Sequence, residues 1–174
     1  VRGLNYYPQD IELASEAAGA YQTDVLIWVI AALTFAALMA AGRIGARGRP
    51  TTGAYLALWM AIGIGLHNFG EGLSIGAALT LGNAALGSLL IVGFTVHNLT
   101  EGIAIAAPLT KRTPSIAVLV GLAALAGLPA VGGTMIGAFA VLPHWGAIFF
   151  GIAAGAILQV MVEVIRFIRS LAHD

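Results

Sequence analysis

Cysteine is absent from the 174-residue chain, which excludes disulfides, thiolate zinc sites and a thiol nucleophile and leaves nitrogen and oxygen as the donors for any metal. Charge is nearly as scarce. Only 9% of the residues are Asp, Glu, Lys or Arg, against 59% hydrophobic, and the mean hydropathy is +0.93. So few charges cannot cover the surface of a soluble domain, so the chain is expected in a lipid bilayer. Its formal net charge is zero, and the basic residues come in twos and threes, so nothing points to nucleic acid or an acidic polymer as a partner. A signal peptide is also missing, because VRGLNYYPQDIELASE is polar and acidic where a basic start and an apolar run are required. A start at Val1 rather than Met fits a processed chain or a piece of a longer one.

What is present is a set of long apolar runs. Five stretches, at 24–42, 53–81, 85–109, 115–141 and 145–167, each reach the about 20 residues a helix needs to cross the hydrocarbon core. The expected fold is therefore all-α, a polytopic transmembrane bundle over 24–170, with an N-terminal segment at 1–23 and a tail at 171–174. Arg43, Arg47 and Arg49 follow the first run, Lys111 and Arg112 the third, and Arg166 and Arg169 close the fifth, so every second connection is basic. The connections at 82–85 and 141–145 hold no Lys or Arg, and the N-terminal segment sets Asp10, Glu12, Glu16 and Asp24 against Arg2. The positive-inside rule then puts the N-terminal end outside a cell membrane and the C-terminal end of this chain in the cytoplasm.

The second and third runs repeat each other. LHNFGEGLSIGAALT at 66–80 and VHNLTEGIAIAAPLT at 96–110 agree at eight of fifteen positions with an offset of thirty residues. Consecutive spans run antiparallel, so a motif near the middle of each predicts that the two copies meet at the bilayer midplane, where transporters place their sites. Each copy reads H-N-x-x-E-G. At about 100° per residue, His and Glu at i and i+4 share a helix face, while the intervening Asn leaves the Glu between His and Asn around the helix. His67, Glu71, His97 and Glu101 therefore supply two imidazoles and two carboxylates, a donor set that suits Zn2+ and admits Fe2+, Mn2+ or Cd2+. A carboxylate at the bilayer centre costs at least about 2.5 kcal/mol, and a divalent cation between two of them removes that cost. Ser74 falls on the same face as His67, but its counterpart is Ala104, so the halves are not equivalent.

Other polar residues admit blander explanations. Gln159 and Glu163 form an i, i+4 pair that lines a pathway or, with Arg166 three residues beyond Glu163, a helix-surface ion pair. His144, between Pro143 and Trp145, suits an interfacial anchor better than an entrance ligand. His173 reads as a solvated terminal residue and the acidic N-terminal segment as a solvated extension.

H-N-F-G-E-G at 67–72 followed by H-N-L-T-E-G at 97–102 resembles the paired signature of the ZIP (Zrt/Irt-like) family of metal transporters, and AAGAILQVMVEV at 153–164 is similar to the family's seventh span. The resemblance covers the chain from about residue 24 and equates its five runs with family spans three to seven of eight. It implies transport of a divalent metal toward the cytosol by alternating access, without catalysis, and admits a homodimer. It also implies His67, Glu71, His97 and Glu101 as primary ligands, with Asn68 and Asn98 assisting a second ion. Two departures stand out. The proline that usually precedes the motif glutamate is replaced by Gly70 and Thr100, removing a fixed kink, and the run at 115–141 has no acidic residue to complete a second metal site. An intramembrane metal hydrolase is the alternative from another class, but H-E-x-x-H is absent and no Ser or Asp stands near the motif as a catalytic partner. A purely structural metal site is the third, and the glycines and asparagines around the motif speak for a mobile, hydrated one instead.

Overall fold

The computed structural model describes residues 8–47, 53–110, 113–139 and 143–172, with side chains from Gln22 onward except those of Pro143 and His144. Five α-helices follow one another: α1 (Pro8–Gly45), α2 (Gly53–Thr80), α3 (Ala84–Ala106), α4 (Ile116–Phe139) and α5 (Pro143–Leu171), with a 3-10 turn at Ala107–Leu109 extending α3. This is the all-α bundle expected, with no strand among the described residues. The connection of α2 to α3 is tight. Gly82 takes φ 74°, the left-handed conformation that suits a residue without Cβ, and Asn83 then caps α3 by accepting from the Leu86 N–H at 3.1 Å.

Four segments are long and apolar enough to cross a membrane: Gln22–Gly45, Ala84–Leu109, Ile116–Phe139 and Trp145–Leu171. The five expected runs are the five helices; α2 has the length at 28 residues but is not among these four apolar segments. His67, Asn68 and Glu71 lower its hydropathy, and it does not face lipid as the others do. Its long buried list runs from Ala57 to Ala78, because α3, α4 and α5 all pack on it. The core around it gathers Ala57, Met60, Ala61, Ile64, Ile105, Leu109, Leu122, Ala126 and Val160. In the N-terminal segment the helix begins at Pro8 and runs on into α1, whose apolar stretch starts at Gln22. His144 falls in the first turn of α5 rather than in a loop, its side chain outside the described residues. His173, Arg2, Arg49, Lys111 and Arg112 also lie outside them.

The helices associate in two tight pairs. Along α2 and α4 the backbones touch: a Cβ at Gly72 would collide with the Ala130 carbonyl, and one at Gly133 with the Phe69 carbonyl. Membrane helices, without a hydrophobic drive toward each other, gain their association from such close packing of small residues. In the other pair, Gly151 and Gly155 of α5 lie against Ile30, Ala31 and Thr34 of α1. The two pairs meet where α5 crosses α2, with Ala153 against Gly70 and Ala156, Gln159 and Val160 against Gly63.

Candidate metal centre

The two motif copies meet between α2 and α3. The His67 and His97 rings stack with centroids 5.8 Å apart and planes 2° from parallel, as the antiparallel repeat predicts. Glu71 lies between them, its Oε1 2.9 Å from His97 Nε2 and 3.7 Å from His67 Nε2. Donor atoms of His67, Glu71 and His97 all fall within 4.8 Å of one another. Glu101 joins at the edge, with Oε1 3.4 Å from His97 Nε2. Both helices run unbroken through the motif. Gly70 and Thr100, where a proline would have kinked the chain, leave the i, i+4 spacing of His and Glu regular, and Thr100 turns its hydroxyl onto the His97 carbonyl at 2.7 Å.

The two asparagines differ. Asn98 donates a long bond, 3.5 Å, to Glu71 Oε2, tying the third helix to the central carboxylate. Asn68 is 3% exposed and donates to the Ala126 carbonyl of α4 at 3.1 Å. Pro129 lies three residues beyond Ala126: lacking an N–H, it cannot bond the Leu125 carbonyl, and its ring loosens the turn before it. Asn68 takes up one of the carbonyls in that turn and also lies beside Glu101. Neither acceptor has a signature in the sequence, because a backbone carbonyl carries no letter. The same holds for the carbonyl of Ala153 on α5, which lies beside the His67 ring.

The accounting of polar atoms singles out the site. Among the described residues, the buried side-chain atoms without a hydrogen bond are His67 Nδ1, Asn68 Oδ1, Glu71 Oε1, Asn98 Oδ1, both carboxylate oxygens of Glu101, and Gln159 Oε1. Glu71 Oε1 is near His97 Nε2, yet no aligned hydrogen bond forms. Six of the seven atoms belong to the paired motif, and five of those six are acceptor oxygens. Buried acceptors left without donors cost about 1–3 kcal/mol each, more when charged. No rearrangement among themselves satisfies them, since oxygens of this kind cannot donate to one another unless protonated. A cation held among His67, Glu71 and His97, whose donor atoms lie within 4.8 Å of one another, would give Glu71 Oε1 a partner.

The remaining candidates fall away from this centre. Ser74 returns its hydroxyl to the Gly70 carbonyl at 3.1 Å. Glu163 pairs with Arg166 at 3.2 Å, as the i, i+3 spacing suggested, and also lines a cavity of about 560 Å³ with Gln159 and Arg43. That cavity, which no feature of the sequence announced, sits where the end of α1, the start of α2 and the end of α5 converge. In comparisons with known proteins, no family model, no curated protein and no solved structure matches the chain.

The partners of Asn98 lead to a direct expectation. Asn98→Ala removes the side chain that holds Glu71 Oε2 and should weaken zinc binding about ten- to hundredfold, the usual cost of losing a residue that orients a ligand. Titration of the purified variant against a competing zinc dye measures this, and an unchanged affinity would mean that Asn98 does not orient Glu71.

Proposed function

We propose that this chain is a ZIP-like transporter, or the metal-carrying part of one, and that it moves a divalent transition metal, zinc foremost, toward the cytoplasm through the His67–Glu71–His97–Glu101 site. The observation that carries this reading is the cluster of buried acceptor oxygens without donors, flanked by two imidazoles, between helices of a membrane bundle. Borderline metals take such mixed nitrogen and oxygen sets. Intramembrane ionisable groups that face a bundle interior mark ion routes far more often than they serve structure.

The residues act by exchanging ligands. Glu71 is placed to bridge the two histidines, and Glu101 to accept the ion from His97. When the metal leaves, protons or water take its place on the carboxylates, because ligands that must be deprotonated to bind metal release protons on binding it. Packing supplies a boundary for the movement. The α2–α4 pair, with its backbones in contact, carries His67 and Glu71, and α3 adds His97 and Glu101 to them, while α1 and α5 form another body; the small residues where α5 crosses α2 let one slide on the other.

Sealed proteoliposomes holding a zinc dye test the reading. The parent should fill the vesicles and Glu101→Ala should reduce initial uptake by at least about tenfold, with helical content unchanged. A silent parent that still binds zinc stoichiometrically would overturn transport and direct attention to metal-dependent cleavage of peptide or lipid.

A further inference from the structure

Seven of the eight Lys and Arg residues, all but Arg2, fall at the end of α1, in the connections at 46–52 and 110–115, or in the last turns of α5. The cavity of about 560 Å³ lies at this basic end, between α1, α2 and α5. Two arginines and one glutamate line it. Arg166 is matched by Glu163 at 3.2 Å, whereas Arg43 has no hydrogen bond or ion pair among the described residues. The lining therefore carries one surplus positive charge.

The rest of the lining is apolar or amphipathic. Leu56, Phe167 and Leu171 supply a hydrocarbon wall. Tyr55 and Trp59 pack edge to face with centroids 6.2 Å apart, and both rest on Gly42 of α1. The Tyr55 hydroxyl donates to the Gly42 carbonyl at 2.7 Å, and a Cβ at Gly42 would lie 3.8 Å from the Trp59 ring. Tyr and Trp rings of this kind concentrate at the headgroup level of a bilayer.

A ligand for this cavity needs a negative group and an apolar part. A cation is repelled by the surplus charge, and a small soluble anion uses Arg43 but leaves the apolar wall in water. An anionic phospholipid meets both demands, and the bilayer presents it directly to the site. Basic pockets between membrane helices take such headgroups, and the volume lies within the about 300–1,000 Å³ usual for ligand sites. We propose that this cavity binds one anionic phospholipid, with its phosphate on Arg43 and the start of an acyl chain along Leu56 and Phe167. Bound there, the lipid touches α1, α2 and α5 together and steadies the place where the two helix pairs meet. The inference stands apart from the metal site and needs only the membrane bundle.

Native mass spectrometry of the purified chain, in detergent carrying equal amounts of phosphatidylglycerol and phosphatidylcholine, tests it. One phosphatidylglycerol per chain should be retained in preference to phosphatidylcholine. Arg43→Gln should lower its occupancy several-fold, and so should Ser170→Trp, which fills the cavity from α5; both side chains are exposed, so the fold should tolerate the changes. Glu163→Gln frees Arg166 and should raise occupancy. Arg169→Gln is the control, because it removes a charge from the same end of α5 without lining the cavity, and it should behave as the parent does. Circular dichroism checks that each variant keeps its helices. The inference is overturned if phosphatidylcholine is retained equally, or if Arg43→Gln and Arg169→Gln lower occupancy alike, as a general surface attraction would. It is also overturned if millimolar inorganic phosphate displaces the lipid, which would make the site one for a soluble anion.

Discussion

Glu71→Ala is expected to weaken zinc binding by more than about a hundredfold, beyond the ten- to hundredfold cost of losing a merely orienting residue, and to abolish uptake. Its carboxylate reaches across the site: Oε1 faces both histidines, at 2.9 and 3.7 Å, and Oε2 receives Asn98. Deleting it leaves two imidazoles with no anion between them, so the charge that offsets a divalent ion is halved. The fold should survive. Glu71 faces α3, whereas α2 holds to α4 through Gly72 and its neighbours, and removing a buried carboxylate whose Oε1 has no hydrogen-bond donor relieves a desolvation cost. Isothermal titration with zinc, alongside circular dichroism, separates the two effects. Binding within a few-fold of the parent would place the metal elsewhere.

Gly133→Val is expected to have the largest effect on stability. The new side chain would be driven into the Phe69 carbonyl, and backbone inside a packed helix cannot give way as a flexible side chain can. Overpacking ordinarily costs about 1–3 kcal/mol and occasionally more, and a clash with backbone belongs at the upper end. Gly132 supplies the control, because a Cβ there meets nothing within 4 Å. Thermal unfolding in detergent should show a clear drop for Gly133→Val and little change for Gly132→Val. Equal behaviour of the two would mean that the α2–α4 contact is not the close one described. Because Phe69 lies between His67 and Glu71 in the chain, separation of α2 from α4 should also carry zinc affinity down with it.

Much of this was legible in the sequence because helices convert spacing into geometry. The i, i+4 interval of His67 and Glu71, repeated at His97 and Glu101, puts each pair on one face whatever surrounds it, and antiparallel neighbours bring the copies together; the stacked imidazoles are the outcome. Helix limits followed from hydropathy to within a few residues at Gly53, Ala84, Ile116 and Pro143. Elsewhere composition and conformation part company. Residues 8–23 are polar enough to stand outside a bilayer, yet polarity does not prevent them from continuing α1. In α2 the polar motif lowers hydropathy below that of a lipid-facing span, and its central position, which makes that tolerable, depends on tertiary packing. Nothing in the letters revealed that Asn68 bonds the Ala126 carbonyl, or that Gln159 Oε1 ends unpaired against Gly63, since both depend on which helices cross. The hydroxyl of Ser74, on the face of His67, bonds the Gly70 carbonyl of its own helix.

The central claim is that the paired motif holds a divalent metal through nitrogen and oxygen donors from two helices. X-ray absorption at the zinc edge, on the purified chain loaded with one equivalent of zinc in nanodiscs, tests it most directly. The account predicts a first shell of nitrogen and oxygen at about 2.0–2.2 Å, with the outer-shell scattering of two imidazoles, which falls to one in His97→Ala. A shell of oxygen alone without imidazole scattering, unchanged in His97→Ala, would contradict it.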